Sequence, residues 1–235
     1  MNIEFICPDK NVVAHWPPMP AKDCIPDKIE NLDNPKESYH TLEPPILNIK
    51  SCLPVMDYMS AGYIIFNAYE VELSPFFHQF KENLNIKTSQ TIIQDDTAAG
   101  IYGRKSLAVF HEDACPNVSN SKKRVYFKFK TMWGIKTPPG YSCLVIQPFY
   151  LPDGNVQILP GIIDTDTYHL PIPVTGYLKD NTSLRLSPGM PVLQIIPFKR
   201  DEWGMAVSNE LVSDKSKFFI WNTYKRLYHS IKKYI

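Results

Sequence analysis

Histidine and cysteine side chains could bind a metal, and their spacing is the first test of that chemistry. None of the six histidines lies three or four residues from another, and no two of the five cysteines are separated by only two residues. Protein metal sites usually draw on such spacings. His111, Asp113 and Cys115 could form a site, but a polar loop explains this run more simply. We therefore predict no metal.

Nucleophilic and phosphate-binding motifs are also missing from the sequence. There is no Gly-x-Ser-x-Gly elbow, and Cys143 lies in an apolar run where burial keeps a thiol protonated. Gly100 and Gly103 lack the spacing of a phosphate loop, although the neighbouring Arg104 and Lys105 could make a local anion contact. The odd cysteine count favours buried free thiols over disulfides.

Three short motifs follow one another in a suggestive order. They are residues 60–63 (Ser-Ala-Gly-Tyr), 160–168 (Pro-Gly-Ile-Ile-Asp-Thr-Asp-Thr-Tyr) and 187–194 (Ser-Pro-Gly-Met-Pro-Val-Leu-Gln). In this order they resemble the trimeric deoxyuridine triphosphatases and the related deoxycytidine triphosphate deaminases, which are β-clip proteins. The resemblance implies that Asp164 orients the attacking water and that Tyr168 covers the nucleobase. It implies a ligand site made of Gly161, Ile162, Asp164, Tyr168 and Gln194.

The sequence departs from that family at the residues that hold metal and phosphate. Ile64 stands where the family has an aspartate near the metal, and residues 147–150 (Gln-Pro-Phe-Tyr) replace its phosphate-gripping Arg-Ser-Gly. Phosphoryl chemistry is mostly positioning and charge neutralisation, so these losses should remove most of the rate. We prefer to interpret Asp164 and Asp166 as turn residues whose carboxylates accept backbone N–H groups. Magnesium is expected only under the triphosphatase interpretation.

A second resemblance rests on more of the chain. Its segments are residues 51–54, 61–64, 137–142, 160–166, 189–191 and 196–200. Together they are similar to an uncharacterised protein family of bacteria and tailed phages, over about residues 50–203. That similarity implies a shared fold and a viral origin, and it implies no chemistry.

The elements that position these residues are predicted to be β-strands. The chain has 21 prolines against 10 glycines, which excludes long helices before residue 205. One strand-like run covers residues 62–73 and ends before Ser74 and Pro75. Further runs cover residues 91–94, 108–111, 124–130, 141–148, 157–163, 170–178 and 192–197. This spacing predicts a mainly β single domain, β-clip or barrel- or sandwich-like, over residues 55–204 with an insertion at about 74–123.

Both ends of the chain differ from this core. Residues 1–54 are rich in proline and are expected to form an extended arm packed on the domain, with a short strand at residues 2–7 and Trp16 as an anchor. Residues 205–235 are expected to form a basic amphipathic helix, because apolar residues recur there at spacings of three and four. The residues predicted to bind a partner are Trp221, Tyr224, Lys225, Arg226, Tyr228, Lys232 and Lys233.

The charge and hydropathy of the whole chain limit its partners. The formal net charge is +1, which argues against a surface built throughout for nucleic acid or anionic membrane. No run approaches the roughly 20 apolar residues of a transmembrane helix. The N-terminus lacks the pattern of a secretory signal, so we expect synthesis in the cytoplasm, with a virion as the second location considered.

These observations favour a non-catalytic binding or structural protein, phage-encoded and virion-associated, that acts through protein–protein contacts and forms a homo-oligomer, with a trimer considered. The alternative is a degenerate nucleotide-binding relative of the triphosphatases. A third hypothesis is binding to nucleic acid or a membrane surface through the C-terminal helix.

Overall fold

The computed structural model describes residues 1–32, 49–78, 81–89, 108–110, 125–150, 156–178, 183–209 and 219. The chain divides into two compact units. The first comprises Met1–Cys24 and Gly62–Lys199, and the second comprises Ile25–Ala61 and Arg200–Ile235. The first 24 residues of the predicted arm therefore belong to the same unit as the strands.

The first unit is built almost entirely of strands, so the predicted mainly β class is confirmed. Its described residues include one short helix, α1 (Lys10–His15), and a 3-10 turn at Ala21–Cys24. Its strands are β1 (Glu4–Ile6), β2 (Met19–Pro20), β3 (Tyr63–Phe66), β4 (Glu70–His78), β5 (Lys81–Ser89), β6 (Ala108–Phe110), β7 (Val125–Lys130), β8 (Gly134–Lys136), β9 (Tyr141–Ile146), β10 (Val156–Ile158), β11 (Gly161–Ile163), β12 (Pro173–Leu178), β13 (Leu184–Leu186) and β14 (Pro191–Lys199).

The strands within the described ranges pair only in antiparallel fashion and form four sheets. The largest has the order β11-β9-β14-β3-β2, and a second has the order β10-β12-β7-β6. A three-stranded sheet has the order β13-β4-β5, and β1 pairs with β8. Side chains from these sheets share one hydrophobic core that includes Phe127, Phe129, Trp133, Val145 and Ile195. Burial of this apolar surface is the main favourable term in folding the unit.

The N-terminal segment is fixed to this core at several points. Glu4 pairs with Lys136 in the β1–β8 ladder, and Val12 of α1 is fully buried in the core. Asp9 caps α1, since its Oδ1 accepts hydrogen bonds from the backbone N–H groups of Asn11 (2.8 Å) and Val12 (3.3 Å). The expected strand at residues 2–7 is present, but the residues after it are not simply extended.

Trp16 packs on the turn that precedes β14. A Cβ placed on Gly189 would lie 2.4 Å from Cζ3 of Trp16, so the indole ring rests directly on the glycine backbone. Trp16 is also packed against the hydrophobic core. The anchoring contact expected of Trp16 is therefore present, and only glycine leaves room for it at position 189.

The described part of the second unit contains two short helices, α2 (Asp27–Glu30) and α3 (Leu53–Ser60), with a 3-10 turn at Ile49–Ser51. Lys50 Nζ donates to the carbonyl oxygens of Glu30 (2.5 Å) and Leu32 (2.7 Å). These two hydrogen bonds connect the end of α2 to Lys50, well beyond it in the chain. Residues 200–209 have no regular secondary structure and are exposed.

Two strand boundaries correct the predictions. The run predicted as one strand over residues 62–73 divides into β3 and β4, and β4 passes through Ser74 and Pro75 to His78. Beside Pro75, β4 pairs with β5 but not with β13, which pairs only with Val71–Leu73, so one side of β4 has no described partner strand at the proline. The run predicted at residues 157–163 divides into β10 and β11.

Some predictions fall on residues that the structure does not describe. The strand expected at residues 91–94, much of the insertion at 74–123 and nearly all of the C-terminal helix lie there. Residues 205–209, at the start of that predicted helix, are described and are not helical, whereas Phe219 is helical. No helix in the described ranges is long and apolar enough to cross a membrane.

Candidate functional site

Asp164 lies immediately after β11, where its side chain is held by the neighbouring strand. Ile163 pairs with Cys143, so the next residues along the two strands, Asp164 and Ser142, lie opposite each other. Ser142 Oγ donates a hydrogen bond of 2.6 Å to Asp164 Oδ1. Ser142 is buried whereas Asp164 is exposed, so a buried hydroxyl fixes one oxygen of a carboxylate that still faces solvent.

The residues after Asp164 form a compact turn. The carbonyl oxygen of Asp164 accepts hydrogen bonds from the N–H groups of Thr167 (3.0 Å) and Tyr168 (2.8 Å). Asp166 Oδ2 accepts one from the N–H of Gly140 (2.8 Å). Asp166 therefore does what the turn interpretation expects, and the turn leaves the ring of Tyr168 40% exposed.

Two buried threonines connect this turn to the chain before β9. Thr165 Oγ1 and Thr137 Oγ1 are 2.8 Å apart, and the N–H of Thr137 donates to the carbonyl of Thr165 (3.1 Å). Cys143 Sγ lies 3.4 Å from Thr165 Oγ1, and burial raises the pKa of the Cys143 thiol. A thiol with a raised pKa is a poor nucleophile, so this cluster positions the turn and supplies no reactive group.

A row of apolar side chains crosses the largest sheet beside the turn. Cross-strand pairing aligns Ile162 of β11, Leu144 of β9 and Ile196 of β14. The adjacent residues Cys143 and Ile163 contact the hydrophobic core, so Ile162, Leu144 and Ile196 lie on the opposite face. We call these three residues the outer row.

The outer row becomes more exposed towards the edge of the sheet. Ile196 and Leu144 are half-buried, whereas Ile162 is 65% exposed. β11 ends the sheet order, so among the described strands it has β9 on one side and no strand on the other. Leu170, just beyond the turn, is 62% exposed. Apolar residues at an open sheet edge are typical of a surface that another chain covers.

The structure brings together only some of the residues predicted for the ligand site. Gly161, Ile162, Asp164 and Tyr168 all lie along β11 and its turn. Gln194 does not join them, because it is fully buried in β14 and pairs with Ile146. Gln194 lies opposite Ile146, and Asp164 lies opposite Ser142, four residues earlier in β9. Parallel to the strands, Gln194 is therefore about 13 Å from Asp164.

The residues around Asp164 do not fit a magnesium site. Among the described residues, no group of three or more histidine, cysteine, aspartate or glutamate side chains could hold a metal ion. Ile64, in the position of the family's aspartate, is fully buried and apolar. Gln147, within the segment that replaces the phosphate-gripping motif, accepts a hydrogen bond from the N–H of Ile158 (2.8 Å). Its Oε1 therefore links the residue that follows β9 to β10.

Sequence reasoning missed Ser142, the two threonines and the outer row. The partner of Asp164 is set by strand register, which no local motif encodes. The outer row did leave a signal, because β9, β11 and β14 contain uninterrupted apolar runs, and such runs indicate strands with two apolar faces. The predicted partner-binding residues Trp221, Tyr224, Lys225, Arg226, Tyr228, Lys232 and Lys233 lie outside the described part of the chain.

Comparison with known proteins gives structural likenesses at low similarity. No family model and no curated protein matches the sequence. The chain is similar to the dUTPase of EIAV, at 12% identity and a TM-score of 0.34, over 64% of this chain and 87% of that one. It is similar to a dUTPase from phage phi11 of S. aureus, at 12% identity and a TM-score of 0.39, over 91% and 100% of the two chains.

A dUTPase of Staphylococcus bacteriophage 80alpha is similar at 13% identity and a TM-score of 0.38, over 92% of this chain and 94% of that one. The resemblance expected from the sequence thus has counterparts among solved structures. Scores this low carry no conclusion about activity.

Proposed function

We propose that this chain is a non-catalytic binding protein that associates with further copies of itself through the outer row and the edge of β11. The observation that carries the proposal is the exposure of Ile162, which lies at the open end of an otherwise half-buried apolar row. Completing the burial of an isoleucine side chain is worth about 1–2 kcal/mol. A neighbouring chain that covered Ile162 and Leu170 would gain this energy and close the edge.

The surroundings of the site support binding more than catalysis. The charged side chains near it, Asp164 and Asp166, are both held by hydrogen bonds from the chain before or within β9. The buried thiol of Cys143 is kept protonated by its raised pKa. A place in a phage particle remains a prediction from the sequence resemblance.

Light scattering of the purified chain tests the proposal. The wild type should have a mass of two or more copies of the 27.0 kDa chain, and Ile162→Lys should reduce it to 27.0 kDa. Val13→Lys is the matched control, because Val13 is an exposed apolar residue on α1 and belongs neither to the outer row nor to β11. A wild type that keeps the monomer mass at every concentration up to about 100 µM would contradict the proposal, because a complex with a dissociation constant of about 1 µM would be mostly assembled at that concentration.

Nucleotide binding is the second candidate function, favoured by one specific observation. Ser142 holds Asp164 in a fixed orientation while leaving it exposed, and the partly exposed ring of Tyr168 follows in the same turn. A carboxylate beside an aromatic ring could contact the sugar and base of a nucleotide.

Thermal unfolding with each deoxynucleoside triphosphate and magnesium tests this second candidate. A ligand at 100 times its dissociation constant adds about 2.7 kcal/mol, which raises the melting temperature visibly. The rise should disappear in Asp164→Asn and persist in Asp23→Asn, a substitution on an exposed 3-10 turn. If no nucleotide at millimolar concentration raises the melting temperature, the candidate is wrong.

A further inference from the structure

The segment that follows β14 exposes three large apolar side chains at alternate positions. Trp203 is 90% exposed, Met205 is 91% exposed and Val207 is 88% exposed. The residues between them are Gly204 and Ala206, which are small. Residues at positions i, i+2 and i+4 share one face of an extended chain, so this segment would present a bulky apolar face and a small face as a strand.

We propose that this segment, residues 202–207, adds as a strand to the open edge of β11 in a second copy of the chain. This inference rests on the proposed self-association and names the part of the partner that covers the outer row. The segment contains no proline, so each of its residues can donate a backbone hydrogen bond. A β11 edge that has one described neighbour offers the N–H and C=O groups that such a strand needs.

The side chains at the β11 edge match those of the segment. Ile162 is the exposed end of the outer row, so Met205 placed beside it would extend the row by one residue. Gly161 faces the opposite side of the sheet from Ile162, and a Cβ placed on it would meet no atom within 4 Å, so this side can accept the small residues Gly204 and Ala206. Both surfaces belong to the same chain, and a second copy therefore supplies the complement of each.

This arrangement is heterologous, because the segment of one copy contacts the edge of another. Such contacts close into a ring when the rotation permits and otherwise continue as a filament. The geometry gives a test that does not depend on the number of copies. One variant should lack the segment's apolar face (Trp203→Ser with Met205→Ser and Val207→Ser), and the other should lack the edge (Ile162→Lys).

Each variant alone should have the monomer mass of 27.0 kDa by light scattering. The segment variant keeps its edge and the edge variant keeps its segment, so an equimolar mixture should form a heterodimer of twice that mass and stop there. Val13→Lys keeps both surfaces, so it should have the wild-type mass. Circular dichroism of the segment and edge variants should match the wild type, since their substituted side chains are mostly exposed.

The outcomes separate this inference from the proposed function. If Ile162→Lys is monomeric but the segment variant keeps the wild-type mass, the edge is an interface and the segment does not occupy it. If both variants are monomeric but their mixture stays at the monomer mass, the two surfaces do not bind each other and the inference is wrong. A monomeric wild type would overturn both proposals. That result would also be obtained if the segment covered its own chain and not a second copy.

Discussion

Four glycines of the first unit allow backbone strain and steric clash to be separated by the same substitution, glycine to alanine. Gly62 has both problems, since its φ is +71° and a Cβ would lie 1.9 Å from the carbonyl oxygen of Ile195. Gly140 has a φ of +82° and open space around it. Gly134 has no positive φ, but a Cβ there would lie 2.3 Å from the carbonyl oxygen of His169. Gly161 has neither problem.

The expected losses in the free energy of unfolding follow from these contacts. The left-handed conformation costs an alanine about 1–2 kcal/mol, which is the loss expected at Gly140. Displacing a backbone carbonyl costs about 1–3 kcal/mol, which is the loss expected at Gly134. Gly62→Ala combines both costs and should lose about 2–5 kcal/mol. Gly161→Ala should change stability by less than about 0.5 kcal/mol.

Urea unfolding of the four variants measures these differences. With a urea slope of about 1–3 kcal/mol per molar, a loss of 3 kcal/mol lowers the midpoint by about 1–3 M. The order of the midpoints should be Gly161→Ala highest and Gly62→Ala lowest, with the other two between them. The reasoning fails if Gly62→Ala is as stable as Gly161→Ala, because β3 and β14 could not then lie as close as described.

Three further predictions concern polar side chains that are buried or half-buried. Tyr69→Phe should lose about 1 kcal/mol in urea unfolding, because the buried hydroxyl donates to the carbonyl of Lys130; an unchanged midpoint would show that this bond contributes nothing. Thr165→Val should lose about 1–3 kcal/mol, since it leaves the buried Thr137 hydroxyl without its nearest side-chain partner; Thr165→Ser, which keeps that hydroxyl, should lose less. Burial raises the pKa of Cys7 to about 11 from an ordinary 9.0, so between pH 9 and 11 the thiol ionises in the unfolded chain and stays protonated in the folded one. Stability should therefore fall with rising pH across that interval, and melting curves should show a smaller fall in Cys7→Ser than in the wild type.

Most strands could be predicted from the sequence because their residue patterns are local. β7 and β12 follow apolar or aromatic runs bounded by turn residues, and both lie within the predicted ranges. The continuation of β4 through Pro75 could not be predicted, since it depends on which neighbouring strand stops short.

The short helices could not be predicted because each depends on a particular terminus. Helix α1 has six residues, too few for a periodic pattern, and it is fixed by the Asp9 cap and the burial of Val12. Helix α3 carries Pro54 in its first turn, where a proline is tolerated, although the proline content argued for extended chain.

The candidate site was predicted in part, for the residues that follow one another in the chain. Asp164 and Tyr168 were identified because they occupy one short motif. The grouping with Gln194 remains a prediction that the geometry does not support, because that side chain is buried further along the sheet. Ser142 was overlooked since its role depends on the pairing of β9 with β11.

The pairing of the first residues with much later ones affects the order of events during synthesis. Glu4 pairs with Lys136, and Trp16 rests on Gly189. A ribosome adds roughly 5–20 residues per second, so the N-terminal segment waits many seconds before its partners emerge. During that time its apolar residues are open to chaperones or to other nascent chains. The fold of the first unit can be completed only after β14 has been translated, and its folding is therefore expected to be slow and late.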